Sequence, residues 1–196
     1  FDVLGHEYQI EVMRGDSQDY PFNPKFQVNM KATQLTFTES YVLWALHKLI
    51  YGHFPLGIIY FFPTRDDVTD FSDSRFKPLI DDNPEAIGRY VKETNRSTLK
   101  RIGKAYLYFR GGRLNQMIED EHKTSSKIKS TPADCFIADE LDEMDKEAIP
   151  LARGRLEHSK HKYEIYLANP TIPDYGIHGL YMQSDQRVWM IKCQHC

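Results

Sequence analysis

One short segment in the second half of the chain constrains the fold more than any other. The residues from Cys135 to Ala138 are apolar, and two carboxylates, Asp139 and Glu140, follow them directly. A short apolar run of this kind is typical of a buried β-strand. In α/β sheets, ligands bind at the carboxyl ends of the strands. The two acids therefore predict a ligand site at that edge of a sheet.

This acidic pair allows two interpretations. In P-loop nucleotide hydrolases, the first acid holds Mg²⁺ through its water shell, and the second positions and polarises the attacking water. The alternative needs no ligand, because carboxylates are also favoured at a helix N-terminus by the helix dipole. Evidence from the rest of the sequence is needed to choose between a nucleotide site and a helix start.

Composition excludes some classes of protein. The chain has 196 residues, 41% of them hydrophobic and 27% charged, with a formal net charge of −3. A strong basic field is absent, which argues against a tight DNA-binding module but not against an enzyme that grips DNA transiently. No apolar stretch reaches the length that spans a membrane. Three cysteines argue against a disulfide framework and favour a reducing compartment.

Strand and helix patterns alternate along the chain. The predicted strands cover 26–30, 57–63, 105–109, 135–138 and 163–168. The predicted helices cover 38–50, 65–80, 83–91 and 146–158. The pair Gly111-Gly112 is expected to be the turn of a hairpin. This alternation predicts one α/β domain with a largely parallel sheet.

The junction between the first strand and its helix is where a phosphate-binding loop should lie. The residues from Met30 to Glu39 read MKATQLTFTE. The standard G-x-x-x-x-G-K-[ST] pattern is missing, because the junction has no glycine and Phe37 stands at the lysine position. Thr38 occupies the position of the Mg²⁺-binding hydroxyl, and it is also a natural helix N-cap.

Three segments, in this order, resemble the ATPase domain of tailed-phage terminase large subunits, in the lambda-type branch. They are Lys31–Glu39, Asp139–Asp142 and Leu167–Thr171. That branch has a phosphate loop whose lysine stands at the start, and Lys31 matches this position. The resemblance implies a P-loop NTPase core of the RecA/ASCE type, an α/β fold whose largely parallel central sheet is flanked by helices.

The resemblance implies a nucleotide site around this loop. Lys31 would neutralise charge on the β- and γ-phosphates, and backbone N–H groups of the loop would form the cradle. The family usually has glycine where this chain has Thr36. Gln27 belongs to an aromatic approach segment that would flank the adenine ring. The nucleotide-binding residues implied are Gln27, Lys31, Ala32, Thr33, Gln34, Leu35, Thr36, Phe37 and Thr38.

The resemblance also implies a metal site and a catalytic set. Thr38 and Asp139 would hold Mg²⁺, and Glu140 would orient the attacking water. A family motif with an arginine at the position of Lys129 resembles the segment just before the acidic strand. There Lys127 or Lys129 would stabilise transition-state charge, in its own site or in that of a neighbouring subunit. The catalytic residues implied are Lys31, Lys129 and Glu140.

The same resemblance implies coupling to DNA and a set of partners. Asn169, Pro170 and Thr171 match the family's coupling motif, which would pass the γ-phosphate state to a DNA-gripping surface. ATP and Mg²⁺ are the implied substrate and cofactor. The implied partners are double-stranded DNA, a small terminase subunit, the portal and procapsid, and copies of the chain itself in a ring. No membrane partner is expected, and the implied location is the host cytoplasm.

The end of the sequence suggests a division into domains. Residues 1–190 would form the ATPase motor domain, and residues 191–196 would begin a linker or zinc-knuckle-like element, with a nuclease domain outside this chain. Cys193 and Cys196 could offer two thiolates to Zn²⁺, although a structural site needs four ligands. An ordinary pair of cysteines explains the spacing equally well.

Several alternatives stay open. The chain could be a helicase-like ATPase with another role, or a degenerate nucleotide-binding or structural module without hydrolysis, which the missing loop glycine and lysine favour. The basic stretch from Arg153 to Lys162 could contact DNA phosphates, but a solvated face is the preferred interpretation. Asp142, Glu143 and Asp145 are expected to be a solvated helix start.

Overall fold

Seven strands form one mixed sheet in the computed structural model, which describes residues 7–10, 25–115 and 131–190. The strands are β1 (Phe26–Met30), β2 (Ile58–Phe62), β3 (Val91–Arg96), β4 (Leu99–Ile102), β5 (Ala105–Gly111), β6 (Cys135–Asp139) and β7 (Tyr163–Ala168). Their order across the sheet is β1-β7-β6-β2-β5-β4-β3. The first five run parallel, whereas β4 and β3 are antiparallel. The predicted α/β class with a largely parallel sheet is confirmed.

Helices lie between the strands, as the alternating pattern predicts. The α-helices of the described residues are α1 (Phe37–Ile50), α2 (Arg65–Phe71), α3 (Lys77–Asp81), α4 (Ala148–Gly154) and α5 (Gly176–Tyr181). A π-helical turn, Ser72–Phe76, joins α2 to α3. Short 3₁₀ turns cover Gly88–Tyr90 and Leu141–Glu143. No helix of the described residues is long and apolar enough to cross a membrane.

Helices cover both faces of the parallel strands, which explains why these strands are apolar along their whole length. All five residues of β2 and of β6 are buried. Leu46 of α1 and Ile58 belong to the core on one face. Ile59 and Ala152 of α4 belong to the core on the other face. Alternate residues of each strand therefore enter different cores.

Two predicted elements of the middle region are wrong. The predicted helix 83–91 is absent, because the Asn83 side-chain amide donates to the Leu79 carbonyl at 2.8 Å and so ends α3 instead of starting a helix. A turn and strand β3 follow. Gly111-Gly112 does not turn the hairpin: β4 and β5 meet at Gly103, where φ is +59°. The helix predicted over 146–158 is shorter, as α4.

Strand β7 lies between β1 and β6, and this position brings distant parts of the sequence together. In the register of the sheet, Met30 pairs with Ala168, and Asp139 pairs with Leu167. The carboxyl ends of these three parallel strands therefore meet at one edge. Everything that follows directly after them, including the loop that starts at Lys31, lies at that edge.

Candidate active site

The side chain of Lys31 joins the loop after β1 to the two acids after β6. Its Nζ lies 2.6 Å from Glu140 Oε1 and 3.9 Å from Asp139 Oδ1. The Lys31 side chain is 7% exposed, whereas that of Glu140 is 39% exposed. The lysine therefore crosses the end of β7 to reach the carboxylates, and one of these carboxylates still faces solvent.

Asp139 is a buried carboxylate with a full set of donors. Its Oδ2 accepts hydrogen bonds from Thr38 Oγ1 at 2.6 Å and from the Tyr60 hydroxyl at 2.9 Å, and its Oδ1 accepts one from the Glu140 N–H at 3.0 Å. Burial raises the pKa of Asp139. The hydrogen bond from Thr38, the charge of Lys31 and the hydrogen bond from Tyr60 oppose this rise, and Glu140 adds to it. Burial also raises the pKa of Tyr60, so this hydroxyl remains a donor.

The loop between β1 and α1 has two non-glycine residues in the left-handed region, Gln34 at φ +62° and Thr36 at φ +55°. Thr36, a β-branched residue, is unfavourable in this conformation. It is the N-cap of α1, so the expectation that Thr38 caps the helix is wrong. Thr38 stands one residue inside α1, which leaves its hydroxyl to donate to Asp139.

A short segment at the start of the described chain packs on this loop. Gln9 is completely buried, and its Nε2 donates to the Leu35 carbonyl at 3.0 Å and to Thr36 Oγ1. The Tyr8 hydroxyl also donates to the Leu35 carbonyl, at 3.0 Å, and the Tyr8 ring stacks on Phe37 at 5.6 Å. These contacts stabilise the left-handed backbone of the loop, a conformation that glycine adopts more easily than threonine does.

Asp142 joins the turn after β6 to the segment after β7. Its Oδ2 accepts hydrogen bonds from the Thr171 N–H at 3.0 Å and the Thr171 hydroxyl at 2.8 Å, and its Oδ1 accepts one from the Ile177 N–H at 2.7 Å. A Cβ at Gly176, where φ is +50°, would overlap Asp142 Oδ1. The expectation of a solvated Asp142 is therefore wrong, because this carboxylate fills the space that the glycine leaves open.

The backbone of Glu140 is also unusual, since this residue lies in the left-handed region at φ +55° and ψ +49°. Such a conformation in a residue with a side chain is strained, and strain of this kind occurs often at functional sites. It ends β6 abruptly and starts the 3₁₀ turn that carries Asp142. The acidic pair is thus a strand end followed by a tight turn, and no α-helix starts there.

A cleft of about 340 Å³ opens beside Thr38, Asp139 and Glu140. Its opposite wall consists of α2 and the π-helical turn after it, including Arg75. Arg75 Nη1 lies 2.7 Å from Glu39 Oε1, so α1 holds this guanidinium beside the cleft. The α2 side also carries Asp67 and Asp70, so the cleft is lined by several carboxylates, a hydroxyl and the guanidinium of Arg75.

Some predicted site residues lie elsewhere. Gln27 is at the second position of β1, where its Oε1 accepts a hydrogen bond from the Tyr41 hydroxyl at 2.7 Å, and it does not join the loop cluster. Asn169 and Pro170 are exposed at the end of β7, and Thr171 donates hydrogen bonds to Asp142.

Four predicted residues fall outside the described ones: Lys127, Lys129, Cys193 and Cys196. No cluster of three or more His, Cys, Asp or Glu suited to a metal occurs among the residues that the structure describes.

The sequence pattern did not indicate three residues of this site. Tyr60 stands within the apolar run of β2, and only the sheet order shows that it faces Asp139. Asp142 is part of an acidic segment whose residues look equivalent in sequence. Gln9 is remote in sequence from the loop that it supports. The polar tyrosine in an otherwise apolar strand was the one available signal.

A lysine, a threonine hydroxyl and two carboxylates at the carboxyl edge of a largely parallel sheet are the groups that the nucleotide site of a P-loop NTPase combines. The family model described as "Phage terminase large subunit gpA, ATPase domain" matches residues 8–196. The chain belongs to this family of terminase ATPase domains. A comparison with curated proteins found no match.

One solved structure resembles this chain at low sequence identity. It is the large terminase from a thermophilic bacteriophage, in complex with ADP, which is 14% identical to this chain, with a TM-score of 0.49. The match covers 82% of this chain and 37% of that one, so this chain spans little more than a third of its length.

Proposed function

We propose that this domain hydrolyses ATP and that hydrolysis drives double-stranded DNA into a viral procapsid, as the motor part of a terminase large subunit. One observation supports the proposal more than any other. Lys31 and Thr38 come from one part of the sequence and Asp139 and Glu140 from another, and the two pairs contact each other at a single edge of the sheet. A phosphate-binding and hydrolytic site needs these four groups together.

The donor set suits a divalent cation beside phosphate. The two carboxylates and one ammonium leave an excess negative charge, and hard cations such as Mg²⁺ prefer oxygen ligands. Thr38 and Asp139 would hold the ion, and a nearby cation would offset the burial that raises the pKa of Asp139. When bound, Mg²⁺ would neutralise charge on the phosphate oxygens. Its site would use the buried oxygens that Thr38 and Tyr60 already orient.

The chain's own residues then have distinct roles. Lys31 places its charge from the start of the loop, where it stabilises phosphate oxygens. The first N–H groups of α1 have no partner within the helix and point toward an anion at its N-terminus. Glu140 is the more exposed acid, so its carboxylate can reach an attacking water, whereas Asp139 Oδ2 already accepts hydrogen bonds from Thr38 and Tyr60. The strained backbone of Glu140 aims this carboxylate past the strand end.

Hydrolysis would be coupled to DNA through the segment after β7. Asn169 would respond to the γ-phosphate, and Asp142 ties Thr171 to the turn that carries Glu140. Lys129 would supply further positive charge, in its own site or a neighbour's.

We also propose that residues 1–190 are the motor domain and that the parent protein carries a nuclease and works in the host cytoplasm. It would assemble as a ring with the small subunit and portal, and Cys193 and Cys196 would bind Zn²⁺.

A degenerate module that binds nucleotide without hydrolysis is the second candidate. It is favoured by the loop, in which Phe37 stands at the usual lysine position and Thr36 takes a left-handed conformation that glycine adopts more easily. The contact between Lys31 and Glu140 argues for hydrolysis instead, since a purely structural loop has no need to hold a lysine against the water-activating acid.

ATP turnover and ATP binding in three variants separate these candidates. Glu140→Gln should lower turnover by roughly 100-fold or more and retain ATP binding, because it removes the proton acceptor alone. Lys31→Ala should weaken ATP binding as well. Glu147→Gln, an exposed neighbour, is the matched control and should leave both unchanged. Wild-type turnover in Glu140→Gln would refute the proposed mechanism.

A further inference from the structure

The antiparallel end of the sheet has a very different charge from the rest of the chain. Residues 88–113, which include β3, β4 and β5, contain eight Lys or Arg residues and one Asp or Glu, in a chain with 25 and 28 of these overall. This region is therefore strongly basic within an acidic protein. Such a local field attracts polyanions even when the net charge of the whole chain is negative.

The strand register places three arginines on one face of this region. Residues directly opposite each other in antiparallel strands project to the same side of the sheet. Arg96 is opposite Leu99, which is opposite Tyr108, and Arg101 is opposite Tyr106. Arg110 is two residues beyond Tyr108 on the same strand and so shares its side. We call the surface formed by Arg96, Arg101, Arg110, Tyr106 and Tyr108 the arginine face.

The other side of these strands is buried. Ile102, Leu107 and Phe109 belong to the core beneath α1 and α2. Lys100, which projects to that side, is 3% exposed and donates a hydrogen bond to Ser72 Oγ at 2.9 Å. Arg96 and Arg101, by contrast, are exposed. No side chain that the structure describes forms an ion pair with either of them.

The tyrosines of the arginine face support its cations. The Tyr106 and Tyr108 rings lie 5.9 Å apart, and the Arg110 guanidinium lies 5.4 Å from the centre of the Tyr108 ring. Arg110 Nη1 also donates to the Thr98 carbonyl at 3.0 Å, which holds it beside the start of β4. Because Arg110 covers one of the two half-buried rings, the surface suits phosphate contacts better than the stacking of unpaired bases.

We propose that the arginine face binds the phosphate backbone of double-stranded DNA. Three strands span about 10 Å, and one DNA strand rises about 3.4 Å per nucleotide, so the face can contact two or three successive phosphates. The surface lies on the strand faces beyond β2, whereas Lys31 follows β1, which is at the other end of the strand order. This inference rests on the proposed motor function, which requires a DNA-gripping surface, and it names that surface.

A second basic stretch of the chain provides the comparison. Residues 153–162 contain Arg153, Lys160 and Lys162, but Arg153 Nε lies 2.9 Å from Glu164 Oε2, so part of this charge is already paired. Lys160 and Lys162 are exposed. A double substitution there removes the same number of positive charges as one on the arginine face. It therefore controls for the change in net charge.

The test measures the affinity for a DNA duplex against salt concentration, for the wild type, Arg96→Gln/Arg101→Gln and Lys160→Gln/Lys162→Gln. Each phosphate contact contributes about 0.9 to the slope of log affinity against log salt. The arginine variant should therefore show a slope shallower by about 1.8 and roughly tenfold or weaker binding at about 0.1 M salt. The lysine variant should bind like the wild type.

Three outcomes would overturn the inference: equal slopes in the two variants, a loss confined to the lysine variant, or a preference for single-stranded over duplex DNA that the arginine variant abolishes. ATPase activity without DNA separates this failure from failure of the proposed function. If turnover persists and still rises with DNA in the arginine variant, the motor proposal stands and the arginine face is not its DNA surface.

Discussion

The two halves of the sheet place their chemistry in different positions. In the parallel half, β7, β6 and β2 are covered on both faces, and most of the functional groups lie at or beyond the strand ends. The antiparallel half consists of β3, β4 and the strand β5 that pairs antiparallel with β4; it is covered on one face, and arginines project from the strands on the other. One sheet thus presents an acidic edge and a basic face.

The difference follows from how each kind of sheet is covered. Crossover helices bury both faces of parallel strands, so most polar site residues gather where the chain leaves the strands, and Tyr60 within β2 is the exception. Hairpin connections need no covering helix, and alternate residues can then face solvent. In the parallel half, a polar residue is held by many partners, whereas on the antiparallel face it is held by few. Substitutions should therefore have very different effects in the two regions.

Asp142 should show the largest effect on stability. Asp142→Ala removes the acceptor for two N–H groups and a hydroxyl, which should lower the free energy of unfolding by about 2 kcal/mol. It should also reduce the stimulation of ATPase activity by DNA. Urea unfolding measures the first quantity, with exposed Glu143→Ala as the control from the same turn. Equal stability of the two variants would mean that the strand-end contacts do not fix this edge.

Tyr60→Phe tests whether a buried donor controls the acidic site. The hydrogen bond from Tyr60 lowers the pKa of Asp139, so its loss should raise that pKa further. Because protonated Asp139 cannot hold a cation, ATPase activity should fall at a higher pH than in the wild type as the medium is acidified. The free energy of unfolding should drop by about 1.5 kcal/mol. The control is Tyr166→Phe, since the Tyr166 hydroxyl donates to Glu164 instead, and it should leave the acidic limb of the pH profile in place.

Thr36 tests the strain in the phosphate loop. Thr36→Ala loses the contact with Gln9 and keeps a Cβ in the left-handed conformation, whereas Thr36→Gly loses the contact and the Cβ clash together. The glycine variant should therefore be more stable than the alanine variant by about 1 kcal/mol. Thermal unfolding of the pair measures this difference. An alanine variant as stable as the glycine variant would show that the loop bears no such strain.

Arg96→Gln and Arg101→Gln should have the smallest effect on stability. Both side chains are exposed on the arginine face, so each change should alter the free energy of unfolding by less than about 0.5 kcal/mol. The comparison with Asp142→Ala is then direct, since all three substitutions remove a charge. A loss near about 2 kcal/mol from either arginine would erase the distinction between the two halves.

The sequence predicts the parallel half much better than the antiparallel half. The apolar runs of β2, β6 and β7 and the helical period of α1 are determined by burial on both sides, and this leaves a strong pattern. Strands β3 and β4 mix charged and apolar residues and were not predicted. The Asn-Pro pair at 83–84 suggested a helix start. Instead, the Asn83 side chain donates a hydrogen bond to the Leu79 carbonyl at the end of α3, a contact that the sequence does not indicate.

Prediction of the site from the sequence is limited in the same way. The resemblance to terminase ATPase domains predicted that Lys31, Thr38, Asp139 and Glu140 would be neighbours, and each of them follows or flanks a strand end. Tyr60 could not be placed, since its contact depends on β2 lying next to β6, and sheet order is not readable from a single sequence. Asp142 differs from the acids around it only in the packing that encloses it.

The insertion of β7 between β1 and β6 has one further consequence. Neighbouring strands lie about 4.8 Å apart, so the backbone at the start of the loop is about 10 Å from the backbone of the acidic pair across the sheet. Residue 31 needs a long cationic side chain to span this gap. A shorter side chain at residue 31, whatever its charge, would end a few bond lengths short of the acids.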